Sequence, residues 1–300
     1  MKQARVSIPA TSANLGPGFD ALGLALSLRN QVVIEEQDAP TSLEIQGEGD
    51  MRLPRNESNI VIKSIETVYR KVGEQVPNLK VTLINAIPPG SGFGSSAAAI
   101  IGGMVGANIL LDSPLSREEL LRMAVEMEGH PDNACAAMLG GLVISSFSDE
   151  GLVYRRVPVA PLKVAAVRPD QVSLTEELRA MLPKTVPLAD AAVNIGRAAL
   201  VVQALAEGDL DLLGEVMKDR LHEPYRKVSI PGYMQAVNAA LSAGAAAIAI
   251  SGSGPSLIAF ASSNHEQISA AMKDAFDKAT SRPARAWVLS VESQGVQIGA

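Results

Sequence analysis

Short runs of alternating apolar and polar residues predict a strand-rich first half of the chain. The runs are separated by glycine, proline, asparagine and aspartate, which favour turns. We predict strands over Arg5–Pro9, Gln31–Glu35, Leu43–Gln46, Leu79–Ile84, Leu142–Phe147 and Leu152–Val157.

Helical spacing of apolar residues predicts three helices among these strands. The first begins at Glu57–Ser58 and ends at Gly73. The second is the alanine-rich stretch Ser95–Leu111. The third starts at Ser116 with a capping-box pattern and continues to about Glu128.

A different pattern begins near residue 160. Strands are predicted over Leu162–Val167, Ala245–Ile250, Ser256–Ala261 and Ala284–Ser290, and helices over Thr175–Met181, Leu188–Ala206, Leu210–Leu221, Tyr233–Ala243 and His265–Thr280. Without its additional helices, this half has the order strand, helix, strand, strand, helix, strand, which is the ferredoxin-like split order. We therefore predict an α+β protein with domains over residues 1–160 and 161–300.

Composition and charge narrow the function classes. Hydrophobic residues make up 47% of the 300 residues but aromatic residues only 3%, so small aliphatic side chains must build the core. A net charge of −6 without a Lys/Arg-rich run argues against a nucleic-acid partner. The single cysteine, Cys135, excludes an intrachain disulfide and a multi-cysteine zinc site, and its apolar surroundings predict a buried side chain.

The N-terminal sequence and the lengths of the apolar runs predict a soluble, cytoplasmic protein with no membrane partner. The N-terminus lacks the apolar run of a secretory signal, and the longest apolar runs are short and interrupted by glycine. The one tryptophan, Trp287, lies in a late strand, which we expect to be far from every motif.

The strongest chemical signal is the glycine-rich segment between the strand Leu79–Ile84 and the alanine-rich helix. Glycines at alternate positions allow positive φ and a close approach to a ligand, and the helix that follows offers free amides and the positive end of its dipole. A phosphate chain suits such a site, although a turn with surplus glycine is the alternative. The candidate nucleotide-binding residues are Pro88, Pro89, Gly90, Ser91, Gly92, Phe93, Gly94, Ser95, Ser96, Ala97 and Ala98.

Three other segments concentrate polar groups beside glycine and proline. Pro9–Asp20 carries Asn14 and Asp20 on what we expect to be a rigid loop after the first strand. Glu126–Asn133 combines carboxylates, a histidine and an amide at a helix break. Ile250–Ser256 is a Gly-Ser turn between two apolar strands, which a plain hairpin would also explain.

These four segments, in this order, resemble the GHMP small-molecule kinases. The Pro-x-x-x-Gly-hydrophobic-Gly-Ser-Ser-Ala pattern is similar to that superfamily's nucleotide signature, with Phe93 where leucine is usual. PATSANLGPGFD, the His-x-Asp-Asn core and ISGSGPSLIAF are similar to the homoserine kinase family, and the match extends from about residue 5 to 290. The resemblance implies a GHMP kinase-like fold, with an N-terminal half like domain 2 of ribosomal protein S5 and a ferredoxin-like C-terminal half.

The resemblance implies a site for ATP, Mg²⁺ and L-homoserine. The implied substrate-binding residues are Asn14, Asp20, His130, Arg179 and Arg226, with Asp20 on the substrate ammonium and the two arginines on its carboxylate. Two guanidinium groups suit a carboxylate because each can bind it through two hydrogen bonds. Without the resemblance, both arginines would be expected on the surface of helices.

The implied catalytic residues are Asp132, Asn133 and Thr175, with Thr175 as a hydrogen-bonding neighbour of the reacting group. The implied metal ligands are Ser96 and Glu128, with Ser95 and Glu126 left as alternatives.

The implied reaction is transfer of the ATP γ-phosphoryl group to the side-chain hydroxyl of L-homoserine, a step of threonine biosynthesis. Whether a general base takes part stays open. Another GHMP kinase, such as a mevalonate kinase, and an inactive nucleotide-binding relative are the alternative functions. The oligomeric state also stays open, and the apolar content would permit a homodimer.

Overall fold

Two β-sheets organise the chain in the computed structural model, which describes residues 2–171 and 175–299. The described strands of the first sheet are β1 Gln3–Ala13, β2 Leu22–Glu36, β3 Ser42–Gly47, β4 Leu79–Asn85, β5 Leu142–Ser148, β6 Gly151–Val157 and β11 Gln297–Gly299. They follow the order β11-β1-β2-β4-β3, and β5 pairs with both β2 and β6. Only the β3–β4 pair is parallel among these described strands. Because β11 pairs with β1, the end of the chain returns to the first sheet.

The helices of the first half are α1 Ile60–Val72, α2 Ser95–Leu110, α3 Arg117–Glu128 and α4 Pro131–Leu139. Local sequence signals set their ends. The Asn59 side chain accepts a hydrogen bond from the Val61 amide at the start of α1. The predicted capping box before α3 is confirmed, because the side chains of Ser116 and Glu119 each bond the other residue's amide.

Helix α2 lies very close to the sheet because glycines face it. A Cβ added at Gly102 would lie 2.6 Å from a methyl carbon of Val32. A Cβ added at Gly106 would lie 2.5 Å from Ile34. These distances are too short for real carbon contacts, so this packing requires positions without side chains. The scarcity of aromatic residues agrees with such close packing.

The second sheet contains β7 Lys163–Arg168, β8 Ala247–Ile250, β9 Leu257–Phe260 and β10 Arg285–Ser290 in the order β10-β7-β9-β8, with antiparallel neighbours. The described helices of this half are α5 Thr175–Ala180, α6 Leu188–Glu207, α7 Leu210–Val216, α8 Glu223–Arg226, α9 Tyr233–Ser242 and α10 His265–Thr280. With α9 and α10 as the two helices of the motif, the predicted ferredoxin-like order is confirmed.

Several described elements differ from the sequence prediction. β2 begins at Leu22 and not at Gln31, and β11 and α8 were not predicted. β1 continues to Ala13, so the predicted loop starts only after this residue. The last six residues of β1 are all buried, and they therefore lack the alternation of apolar and polar residues that marks a half-exposed strand. α4 was not predicted, because eight of its nine residues are buried and no polar face marks it. The helix predicted over Leu210–Leu221 ends at Val216.

Helix α6 is the one described helix that is long and apolar enough to cross a membrane by length and composition. The expectation that no apolar run is long enough is wrong for this helix. Its polar side chains nevertheless bond to the rest of the fold. Asn194 donates to the Pro17 carbonyl oxygen at 3.0 Å and to the Asp219 carboxylate at 2.9 Å, and Arg197 donates to the Lys218 carbonyl oxygen at 2.8 Å.

Candidate active site

The glycine-rich segment after β4, residues 88–94, forms one wall of a cleft between the two halves; we call it the phosphate loop. Gly90, Gly92 and Gly94 have φ angles of 64°, 87° and 67°, so the predicted positive φ of the three glycines is confirmed. Ser95 and Ser96 follow at the N-terminus of α2 and line the same cleft. Free amides and the helix dipole make this wall suitable for an anion.

The turn between β8 and β9 supports the phosphate loop. The Ser251 hydroxyl donates to the Gly92 carbonyl oxygen at 2.9 Å, and the Ser256 amide donates to the Ser91 carbonyl oxygen at 3.2 Å. The Gly252 amide donates to the Ala13 carbonyl oxygen at 3.1 Å. The turn is therefore packed against both the loop and the end of β1, beyond what a plain hairpin requires.

Thr11 orients the side chain of Asn133 beneath the phosphate loop. Its buried hydroxyl donates to Asn133 Oδ1 at 2.7 Å. The Asn133 Nδ2 group donates to Asp132 Oδ1 at 3.4 Å and has a second hydrogen that it can offer to a ligand. The loop passes directly above, since a Cβ added at Gly94 would lie 1.9 Å from the Thr11 hydroxyl oxygen. Sequence reasoning missed Thr11, because a threonine in a strand gives no signal of its own.

The opposite wall of the cleft carries an ion pair between Asp20 and Arg179. The guanidinium donates to both carboxylate oxygens, at 2.7 and 2.9 Å, and this bonding raises the pKa of Arg179. Asn14 fixes the backbone of Asp20, because its Oδ1 accepts from the Asp20 amide at 3.0 Å. The Asn14 amide nitrogen donates to the Gly252 carbonyl oxygen at 2.7 Å. Asn14 and Asp20 have φ angles of 70° and 54°, an uncommon backbone conformation that often marks a functional loop.

Arg226 lies beside this ion pair but is buried, with 1% of its surface exposed. Its Nη1 contacts His222 Nδ1 at 3.1 Å and the Gly252 carbonyl oxygen at 3.3 Å, while its Nε has no partner among the described residues. Burial, with the nearby Arg179 charge, lowers the pKa of Arg226 to about 10. The carboxylates of Asp20, Asp132 and Asp219 offset the burial of this cation only in part, and a bound carboxylate would compensate it further. Arg226 therefore does not lie on an open helix surface.

Phe19 lies between the two arginines. The guanidinium carbons of Arg179 and Arg226 are 5.4 and 5.3 Å from its ring centroid. The His222 ring stacks on Phe19 with a centroid distance of 5.2 Å. Sequence reasoning missed Phe19 and His222, although each adjoins a motif that it singled out.

A group of acidic residues and a histidine lies between the two walls. His130 Nδ1 is 2.8 Å from Asp132 Oδ1, and its Nε2 is 3.9 Å from Glu128. Burial lowers the pKa of His130, but hydrogen bonding and charge from Asp132 and the charge of Glu128 more than compensate, so that the pKa is raised. Burial raises the pKa of Glu128.

The Ser96 hydroxyl donates to Glu128 Oε2 at 2.9 Å. A hydroxyl and a carboxylate are oxygen donors that Mg²⁺ accepts, so these two residues fit the implied metal. Ser95 lines the same cleft, whereas Glu126 is exposed and lies on another surface with Glu119 and Arg122. No cluster of three or more His, Cys, Asp or Glu side chains that could hold a metal occurs within residues 2–171 and 175–299.

Comparison with known proteins agrees with this geometry. The family models for the N-terminal and C-terminal GHMP kinase domains match residues 59–141 and 201–278. A homoserine kinase of Moorella thermoacetica is 45% identical over 90% of this chain and 92% of its own length. A homoserine kinase of Desulfitobacterium hafniense is 42% identical over 98% of this chain and 99% of its own length.

A solved structure extends the agreement to three dimensions. The crystal structure of homoserine kinase from Cytophaga hutchinsonii superimposes with a TM-score of 0.89 at 33% identity, covering 100% of this chain and 98% of that one. The chain belongs to the homoserine kinase family of GHMP kinases. The family resemblance and the two-part GHMP kinase fold are thus confirmed.

The structure brings most of the predicted site residues together at one cleft. The residues of the sequence prediction that line it are Asn14, Asp20, Gly90, Ser91, Gly92, Gly94, Ser95, Ser96, Glu128, His130, Asp132, Asn133, Arg179 and Arg226. They come from both halves of the chain: from three of the four motifs and, for Arg179 and Arg226, from segments outside them.

Other predicted site residues do not present side chains to this cleft. Pro88, Phe93, Ala97 and Ala98 are buried, so only their backbone could contact a nucleotide. The side chain of Thr175 lies outside the described residues.

The expected distance of Trp287 from every motif is wrong. Its ring packs edge-on against Phe93 of the phosphate loop, with a centroid distance of 5.7 Å. The contact arises because β10 pairs with β7 and thereby brings the end of the chain near the loop.

A second cavity, of about 300 Å³, adjoins the phosphate loop. It shares Gly90, Ser95 and Ser96 with the first cleft, and Pro89 lines it from the loop. Its remaining lining is mostly apolar with a few polar groups: Asn30, Val32, Leu53, Pro54, Ser58, Asn59, Ile60, Val61, Leu83, Asn85 and Ala99. Sequence reasoning missed this cavity, because its residues come from segments that no motif connects.

Proposed function

We propose that this chain transfers the γ-phosphoryl group of ATP to the side-chain hydroxyl of L-homoserine and thereby serves threonine biosynthesis. The observation that carries the proposal is the cleft itself. A carboxylate and two guanidinium groups, from Asp20, Arg179 and Arg226, face a glycine-rich helix N-terminus across one opening. The family relatives named above are homoserine kinases.

The wall of the cleft that carries Asp20, Arg179 and Arg226, which we call the charged wall, suits a zwitterionic amino acid. Asp20 would bind the substrate ammonium, and Arg226 and Arg179 its carboxylate. The Asp20–Arg179 ion pair would then exchange its partners for those of the substrate, so that no charge is left without a counterion. Asn14 contributes by holding the backbone of Asp20, and His130 lies beside the same opening.

The nucleotide would lie along the phosphate loop. Amides of residues 90–96 would bind the ATP phosphates, and the adjoining apolar cavity would take the adenine base, because it opens at Gly90 and Ser95. Ser96 and Glu128 would hold Mg²⁺, which would neutralise charge on the phosphates.

The phosphoryl transfer is a direct displacement. The homoserine oxygen forms a bond with the γ-phosphorus, the bond from that phosphorus to the β-bridging oxygen breaks, and ADP leaves. Asn133, oriented by Thr11, would donate from Nδ2 to the transferred group. Asp132 would bind substrate, and the alcohol proton would pass to a phosphoryl oxygen. Catalysis then comes mainly from positioning and charge stabilisation.

An ADP-release assay with four alcohols tests the proposal. We expect turnover with L-homoserine and little with mevalonate, galactose or shikimate. Activity on another alcohol and none on homoserine would assign the chain to a different GHMP kinase activity. ATP binding without phosphoryl transfer to any alcohol would make it an inactive nucleotide-binding relative.

We further propose that the enzyme is soluble and cytoplasmic and that its partners are these small molecules, with no nucleic acid or membrane. Light scattering after size-exclusion chromatography would measure whether it forms a homodimer.

A further inference from the structure

His222 is a fully buried histidine that does not line the cleft, yet it contacts residues that do. It lies immediately before α8, four positions ahead of Arg226. Its Nδ1 is 3.1 Å from Arg226 Nη1, and its Nε2 is 2.8 Å from the Gly16 carbonyl oxygen. Its exposed fraction is 0%.

These two contacts fix the proton of the imidazole. A carbonyl oxygen only accepts hydrogen bonds, so Nε2 must carry the hydrogen. A guanidinium only donates, so Nδ1 must be bare. Both requirements describe the same neutral tautomer. Burial lowers the pKa of His222, which favours the neutral form.

The imidazole thereby connects two parts of the charged wall. On one side it accepts from the guanidinium of Arg226. On the other side it bonds Gly16 and stacks on Phe19, which belong to the loop that ends at Asp20. Asp219 holds this corner, because its Oδ2 accepts from the amides of residues 221–223.

We propose that His222 is a positioning residue for the amino-acid substrate: it sets the direction of the Arg226 guanidinium and its distance from Asp20. This inference rests on the proposed function. Without the Nδ1 acceptor, Arg226 would lose one of its two neighbours at Nη1 and would turn towards other partners. Within the described part of the chain no hydrogen bond joins His222 to the phosphate loop, so nucleotide binding would be spared.

Two variants separate the contacts of His222. Asparagine places an oxygen near the position of Nδ1 and can still accept from Arg226, whereas phenylalanine keeps the ring but accepts nothing. In His222→Phe we expect the homoserine KM to rise by about 10-fold or more, as for loss of a hydrogen bond to a charged group. In His222→Asn we expect a rise of less than about 3-fold, and in both variants an ATP KM within about 2-fold of wild type.

His265→Phe is the matched control. His265 also bonds a backbone carbonyl through Nε2, here that of Ala261 at 3.0 Å, but lies on α10 away from the cleft. The kinetic constants of the His265→Phe enzyme should equal those of the wild-type enzyme. An unchanged homoserine KM in His222→Phe would overturn the proposal, and so would an equal rise in both KM values or failure of asparagine to rescue.

Nitrogen-15 NMR of the histidines in the wild-type protein gives a test that needs neither activity nor a folded variant. We expect the His222 signals of a neutral ring with its proton on Nε2. A proton on Nδ1, or a charged ring at neutral pH, would contradict the proposal. If wild-type protein did not phosphorylate homoserine, the proposed function would fail, while the tautomer measurement would still decide the geometric part of this inference.

Discussion

Replacing Arg226 with methionine should separate substrate binding from stability. Arg226 is buried and its Nε has no partner among the described residues. The charge is therefore costly in the free protein and useful only when an anion binds. We expect Arg226→Met to weaken homoserine binding strongly while changing the free energy of unfolding little.

The expected change in the free energy of unfolding follows from the burial of Arg226 and from its contact with His222. The fall of the Arg226 pKa from its ordinary value to about 10 corresponds to roughly 3 kcal/mol against the charged form. Because the folded-state pKa lies below that of the unfolded chain, this destabilisation is fully present below pH about 10 and diminishes only at more alkaline pH. Methionine would remove it, but would leave His222 Nδ1 without its donor at a cost of about 1–3 kcal/mol. The two effects nearly cancel.

Substrate binding has no such compensation. A hydrogen bond between charged groups contributes about 1.5–3 kcal/mol, so the homoserine KM should rise about 10- to 150-fold. Steady-state kinetics and chemical denaturation of the same preparation measure both quantities. Arg282→Met, at an exposed position after α10, is the control and should change neither. An unaltered homoserine KM, or an unfolding free energy lower by more than about 3 kcal/mol, would refute the reasoning.

Three further changes test other parts of the site. Gly94→Ala should weaken ATP binding, measured by calorimetry, and lower the melting temperature, measured by thermal shift. The reason is that the added Cβ would lie 1.9 Å from the Thr11 hydroxyl oxygen at a residue whose φ is +67°. Unchanged ATP affinity would contradict this. Glu128→Gln should raise the Mg²⁺ concentration for half-maximal activity at least about 10-fold, as for loss of a charged ligand, and Glu126→Gln should not; equal effects would remove Glu128 from the metal site. Burial raises the pKa of Glu223 to about 8, so the folded state keeps a proton that the unfolded chain loses, and stability should fall as pH rises from about 4.5 to 8. Glu223→Gln should flatten that slope in denaturation experiments, and an unchanged slope would disprove the assignment.

The sequence was sufficient for the outline of the fold and for most residues of the cleft. Alternating glycines before a helix imply a ligand-binding loop by local chemistry alone, and the positive φ angles agree. The order of strands and helices in the second half determined its ferredoxin-like sheet. The resemblance to the homoserine kinase family brought Asp20, Arg179 and Arg226 into one proposal before any distance was known.

The remaining features depend on contacts between segments far apart in the chain. Burial of Arg226 is invisible in a short helix whose neighbours are polar. Thr11 acquires its role only because β1 passes beneath α4, and Trp287 meets Phe93 only through sheet pairing. Such contacts have no local pattern of residues from which to predict them.

Close packing along α2 has a consequence for how the enzyme tolerates mutation. Gly106 lies eleven residues beyond Ser95, which at 1.5 Å per residue is about 16 Å along the helix axis. A side chain there would overlap the end of the buried Ile34 side chain, so Ile34 or the helix that starts at the phosphate loop would have to shift. Selection for phosphoryl transfer should therefore restrict substitutions at a position that never touches a substrate. Substitutions at Gly106, whether natural or engineered, would then reduce turnover although this residue lies far from the reacting groups.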